Sequence, residues 1–125
     1  MEKKKRILIA DDDPRNIFAM RLTLQAQGFD CVCANGAEEA VSIAEKEKDA
    51  IDIILMDMMM PGMDGYQAIA ILRKKEDTAQ IPVIAVTAQA MPGDKEKCIE
   101  AGATDYVSKP VNVDRLLEII HAHIK

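Results

Sequence analysis

Five short apolar runs recur along the chain, at Arg6–Ala10, Phe29–Ala34, Ile51–Met56, Pro82–Thr87 and Asp105–Ser108. Each is followed by one segment of helical period, and the connections between them are short. An unbroken apolar run of this length bounded by turn residues reads as a strand covered on both faces. Strands of that kind alternating with amphipathic helices predict a parallel sheet with helices on both sides.

The helix boundaries can be read the same way. Asp13 before Pro14 is a helix start, because Asp caps and Pro at the first helical position gives up no needed N–H. Ile17, Met20 and Leu24 form the inward stripe of that helix, which runs to about Gln27 and is closed by Gly28. Asn35-Gly-Ala-Glu38 predicts a capping box, with Asn35 as cap and Glu38 three residues on. Ala37, Ala40, Val41 and Ala44 then face inward, and Glu45-Lys-Glu-Lys48 is expected to be a solvated end. Asp64 is placed to cap a third helix reaching to about Lys75. A fourth helix is expected from Pro92 to Ala101, ended by Gly102. Asn112 should cap a fifth, with Val113, Leu116, Leu117, Ile120 and Ile124 inward.

At 125 residues, 49% apolar and 30% charged, the chain is expected to be one globular domain spanning residues 1–125. A net charge of −5, with Lys3-Lys-Lys-Arg6 as the lone basic cluster, argues against a nucleic-acid binder. The apolar run after that cluster stops at Asp11 and is too short for a signal peptide, and nothing reaches the length of a membrane span. Cys31, Cys33 and Cys98 lack the spacing of a disulfide framework or a zinc site, so reduced core thiols in a cytoplasmic protein are expected. His121 and His123 stand two apart on a helix, do not make a ligand pair, and are expected at the surface.

Open parallel sheets bind ligands beyond the carboxyl ends of their strands. The first run ends in Asp11 and Asp12, the third in Asp57, the fourth in Thr87, and the fifth is followed by Lys109. Asp57 taken alone could be a strand-ending turn residue, since Pro61-Gly62 follows. Together the four ends bring three carboxylates, a hydroxyl and an ammonium to one rim. Crowded carboxylates repel unless a cation sits among them, and a hard ion such as Mg²⁺ suits oxygen ligands. A carboxylate can also act as a nucleophile and form an acyl phosphate, with metal and lysine neutralising charge.

Four motifs carry a resemblance: Ile7-Leu-Ile-Ala-Asp-Asp-Asp13, Leu55-Met-Asp-Met-Met-Met-Pro-Gly-Met-Asp-Gly65, Val83-Ile-Ala-Val-Thr-Ala88 and Asp105-Tyr-Val-Ser-Lys-Pro110. In this order and spacing the chain resembles a response-regulator receiver domain of two-component, or phosphorelay, signalling, similar to the chemotaxis single-domain regulator. The resemblance implies a flavodoxin-like (βα)5 fold with strand order 2-1-3-4-5. It implies that Asp57 accepts the phosphoryl group. It makes Asp11 and Asp12 the acidic pair for Mg²⁺, with Asp12 the more direct ligand and the Met59 carbonyl completing the site. Thr87 becomes the switch hydroxyl, Tyr106 the switch aromatic and Lys109 the phosphate-pairing lysine, with Lys109–Pro110 cis. Met59 and Gln89 hold positions that tune loss of the phosphoryl group.

The implied partners are a sensor histidine kinase or histidine phosphotransfer protein as donor. A downstream protein would meet the face of the fourth helix, fifth strand and fifth helix. Neither nucleic acid nor membrane is expected as a partner, and the chain is expected to be a switch and not an enzyme. With the sequence ending after the fifth helix, output by protein contact or onward transfer is expected. The Ala88–Asp94 stretch is also similar to receivers within hybrid kinases. Two other readings compete. A haloacid-dehalogenase-like phosphatase would use Asp11 as nucleophile and Asp13 as acid, but leaves Asp57 idle. A degenerate receiver would only bind partners. A flavin-binding flavodoxin would need a stacking aromatic at the rim, where Tyr106 alone is available.

Overall fold

The computed structural model describes residues 4–88 and 92–124. Its elements alternate as β1 (Arg6–Ala10), α1 (Pro14–Ala26), β2 (Asp30–Ala34), α2 (Ala37–Lys46), β3 (Ile53–Asp57), α3 (Gly65–Lys74), β4 (Val83–Thr87), α4 (Asp94–Ala101), β5 (Asp105–Ser108) and α5 (Val113–His123). The strands form one parallel sheet of order β2-β1-β3-β4-β5, as the resemblance implied.

Alternation along the strands divides the core in two. Leu8, Ala10, Ile54, Met56 and Ala85 pack with Ala40, Leu72 and Cys98 on the α2–α4 side. Ile7, Ile9, Leu55, Val86 and Val107 pack with Ile17, Leu24, Leu116 and Ile120 on the α1–α5 side. β3 is buried along its whole length, as an unbroken apolar run requires. Each such Ile or Leu contributes about 1.5–3 kcal/mol by leaving water.

Three expected caps are present. Asp13 Oδ1 accepts from Arg15 N at 2.9 Å, and Asn112 Oδ1 accepts from Arg115 N at 3.0 Å. Asp64 makes a reciprocal box with Gln67.

Other expectations are corrected. Gly36, not Asn35, holds the cap position of α2, without a side-chain bond. It is Glu39, at the third helical position, that returns to Asn35 N at 2.7 Å, because the helix enters one residue later than the pattern suggested. α4 starts at Asp94 after Gly93, whose φ of 95° is left-handed and suits glycine, so the helix does not begin at Pro92. On α5, Ile119 is buried and Val113 exposed, since Leu116, Ile119 and Ile120 form the stripe that meets the sheet.

The Glu45–Lys48 run is not merely solvated. Glu47 accepts from Arg6 at 2.6 Å, Lys48 pairs with Asp77 at 3.1 Å, and Glu45 pairs with Lys75. The end of α2 abuts both the start of β1 and the α3–β4 connection, and that proximity recruits the charges. Cys98 is buried, but Cys31 and Cys33 are half-buried because β2 is an edge strand. His123 is also half-buried, with Nε2 3.4 Å from Asp105 Oδ2, whereas His121 is exposed beside Phe29.

Candidate functional site

The carboxyl rim of the sheet gathers the residues singled out above. Asp11 follows β1 directly, and its N–H bonds Ala34 O at 3.2 Å, which extends the pairing with β2 by one residue. Asp11 Oδ1 accepts from Asp13 N at 2.9 Å, so the turn into α1 aims the carboxylate. Asp57 closes β3, and Met58 N bonds Val86 O at 2.9 Å just beyond it. Asp57 Oδ1 accepts from Met59 N at 3.0 Å, and Oδ2 accepts from Lys109 Nζ at 3.2 Å. The same Nζ lies 3.7 Å from Asp11 Oδ2. Lys109 is positioned in turn by its own N–H, which bonds Thr87 O at 2.7 Å, ahead of a cis bond to Pro110.

One carboxylate oxygen from each of Asp11, Asp12 and Asp57 falls within 4.8 Å of the others. Asp11 and Asp57 are buried and Asp12 is exposed. Burial, first of all, pushes the Asp11 carboxyl above the usual carboxylate range, and the charge of Asp57 adds to it. The Asp13 N–H and the Lys109 ammonium oppose that rise. Three acids against one ammonium leave a local negative excess. The donor set is all oxygen, compact and partly open to water, which fits Mg²⁺ keeping several of its own waters.

The rim has two sides. Asp11, Asp57 and Lys109 continue the alternation of Ile9, Leu55 and Val107, all of the α1–α5 core. Thr87 continues that of Ala85 and falls on the opposite side, where Tyr106 packs half-buried against the α2–α4 core. Thr87 is buried to 1% exposure. Thr87 thus ends β4 at the same rim, on the α2–α4 side by strand alternation.

A cleft of about 520 Å³ opens beside the acids between α1 and α5, with Asn16, Met20 and Val113 along it. Asn16 was not among the expected site residues. Its place in the first turn after the Asp11–Asp13 loop is the signal that could have marked it. Gly65 was missed too. A Cβ there would lie 2.6 Å from Met58 Sδ and 2.8 Å from Asp57 O, so α3 can approach the end of β3 only through glycine. Gln89 lies outside the described residues. The phosphatase reading loses its acid, because the Asp13 carboxylate is engaged in capping α1.

A family model for the response regulator receiver domain matches residues 7–121. Protein PilH of Pseudomonas aeruginosa is 39% identical over 117 residues, which are 94% of this chain and 95% of that protein. Hybrid signal transduction histidine kinase I of Dictyostelium discoideum is 38% identical over 125 residues, covering 96% of this chain but 7% of the kinase. The chain therefore spans only a small part of that relative's length. Among solved structures, the receiver domain of sensor histidine kinase PA1611 from Pseudomonas aeruginosa PAO1 superposes with a TM-score of 0.88 at 34% identity, covering 97% of this chain and 98% of that one. Its magnesium ion is described as coordinated in the active site cleft.

Proposed function

The chain belongs to the response regulator receiver domain family, and on that premise we propose that Asp57 accepts a phosphoryl group with Mg²⁺ held by Asp11, Asp12, Asp57 and the Met59 carbonyl. The observation that carries this reading is the convergence of three carboxylates within 4.8 Å, with Lys109 Nζ 3.2 Å from Asp57. An Asp57 carboxylate oxygen attacks phosphorus, the bond from phosphorus to the donor's imidazole nitrogen breaks, and the imidazole leaves with the electron pair. Lys109 neutralises charge on the transferring group, and Mg²⁺ held by the acids would add to that neutralisation, which is most of what this chemistry requires. Mg²⁺ bound there would also supply the positive charge the rim lacks.

The donor is a sensor histidine kinase or a histidine phosphotransfer protein. Residues 1–125 act as one receiver unit, a switch whose only chemistry is its own phosphorylation and its reversal. It works in the cytoplasm; no helix of the described residues is long and apolar enough to cross a membrane. The added charge of about two units draws the Thr87 hydroxyl toward the acceptor. Tyr106, on the same side of the sheet as Thr87, then repacks, and the α4–β5–α5 face changes toward a protein target. The differential contact that shifts the population is the Thr87–phosphoryl bond.

Incubation with Mg²⁺ and acetyl phosphate, followed by peptide mapping, tests the reading. A label on Asp57 is expected. A label on Asp11 would instead restore the phosphatase reading, and no Mg²⁺-dependent label would restore the degenerate receiver. Thr87→Ala should keep the label and weaken partner binding to the phosphorylated form; binding equal to wild type would remove Thr87 from the switch. The apolar Met59 side chain cannot orient an attacking water, so the acyl phosphate should outlast that of a variant with an acid or amide at position 59, with Gln89 the second tuning position.

A further inference from the structure

The stretch from β3 to α3 holds five methionines, Met56, Met58, Met59, Met60 and Met63, the first four of them within positions 56–60 at the phosphoryl rim. Met56 and Met58 are 0% exposed, Met60 is 6% and Met59 is 53%, while Met63 is half-buried. Solvent therefore reaches Met59 most freely. That one is anchored to the acceptor, because its N–H donates to Asp57 Oδ1 at 3.0 Å. The competing sulfurs are less well placed: Met20 and Met63 are half-buried against the two cores, Cys98 is fully buried, and burial holds the Cys31 thiol up at about 11 and raises Cys33 as well. At neutral pH those groups stay as thiols, the less reactive form.

We propose that Met59 is a redox modification site whose oxidation to the sulfoxide shortens the lifetime of phosphorylated Asp57. The inference rests on the reading of Asp57 as phosphoryl acceptor. The oxidant is a peroxide. The sulfur lone pair attacks a peroxide oxygen, the O–O bond breaks, sulfur loses two electrons and gains one oxygen, and hydrogen peroxide is reduced to water. A thioether accepts hydrogen bonds weakly, whereas a sulfoxide oxygen is a strong acceptor. With the Met59 backbone fixed against Asp57 Oδ1, a sulfoxide on its side chain adds an acceptor that can orient a water toward the acyl phosphate, which the unmodified side chain cannot do. The change is reversible by sulfoxide reductases, so it can act as a setting and not only as damage.

The test uses the full chain, hydrogen peroxide and acetyl phosphate. Peptide mapping after mild peroxide should find Met59 oxidised ahead of Met20, Met56, Met58, Met60 and Met63. The label on Asp57 should then decay about five-fold faster, the rate equivalent of one net hydrogen bond. Met59→Leu should show a decay that peroxide does not change, Met59→Gln should decay faster than wild type without peroxide, and treatment with a methionine sulfoxide reductase should restore the slow decay. Equal decay before and after oxidation, or an equal peroxide response in Met59→Leu, would overturn the inference while leaving the acceptor reading intact. Absence of any label on Asp57 would overturn that reading, and this inference with it.

Discussion

Two cations in this molecule are each surrounded by several oxygens, and the two surroundings differ in kind. Arg73 on α3 donates to the carbonyls of Gly102 at 2.9 Å, Ile81 at 2.7 Å and Ala79 at 3.2 Å. Lys109 at the end of β5 faces the carboxylates of Asp57 at 3.2 Å and Asp11 at 3.7 Å, with Asp12 close by. Burial lowers the Arg73 proton affinity, but its partners are neutral: backbone carbonyls together with the Thr104 hydroxyl at 3.4 Å. Those bonds tie α3 to the start of β4 and the end of α4, and nothing more is needed to satisfy them. At Lys109 the acceptors are charged and outnumber the donor, so an outside cation completes the arrangement. A cation among neutral acceptors locks structure; a cation outnumbered by acids prepares chemistry.

Breaking the charged side should remove function and spare stability. Asp57→Asn is expected to lower labelling by acetyl phosphate about 100-fold or more, since the nucleophile is gone, while its thermal midpoint stays at or above wild type. A large loss of midpoint would mean that the acid is structural after all. Breaking the neutral side should do the reverse. Arg73→Ala is expected to cost about 3 kcal/mol, because several part-buried carbonyls lose their donor together. The denaturant midpoint reads the cost, and labelling per folded molecule should match wild type. A labelling defect there would erase the contrast.

Magnesium sharpens it further. Saturating Mg²⁺ should stabilise the protein by about 2.7 kcal/mol at one hundred times its dissociation constant. Arg73→Ala should keep that increment and Asp12→Asn should lose it, as thermal midpoints across a metal titration would report.

The smallest effect concerns Asp11. Its folded-state proton affinity is raised, chiefly by burial. A carboxyl raised in this way stabilises the fold most below its unfolded pKa, and that contribution is lost as pH rises through the folded pKa. Asp11→Asn should therefore raise the metal-free midpoint at neutral pH by roughly 3 °C, and the difference from wild type should vanish in acid. An unchanged difference from pH 3 to 7 would contradict the assignment.

Much of the molecule was legible before any coordinates. The five strands, the caps at Asp13, Asp64 and Asn112, and the rim carrying Asp11, Asp12, Asp57 and Lys109 were all read from residue order. Local misreadings shifted an end by one or two residues, at the α2 cap and the α4 start, and the others involve partners distant in sequence. Glu47 meets Arg6 and Lys48 meets Asp77 because α2 ends beside β1 and the α3–β4 connection, which no local charge pattern states. His123 was expected in water and lies beside Asp105 for the same reason. Gly65 reads as an ordinary glycine until Met58 and Asp57 O are seen against its Cα.

Residue order by itself determined which segments are strands and helices, and that acids and a lysine end the strands, because burial periodicity and capping are local properties. Tertiary structure alone decided that Lys109 Nζ comes within 3.2 Å of Asp57 and 3.7 Å of Asp11. It also decided that Arg73 is satisfied by neutral carbonyls and Lys109 is not. Strand pairing and helix docking set those distances, and each depends on where every other element packs.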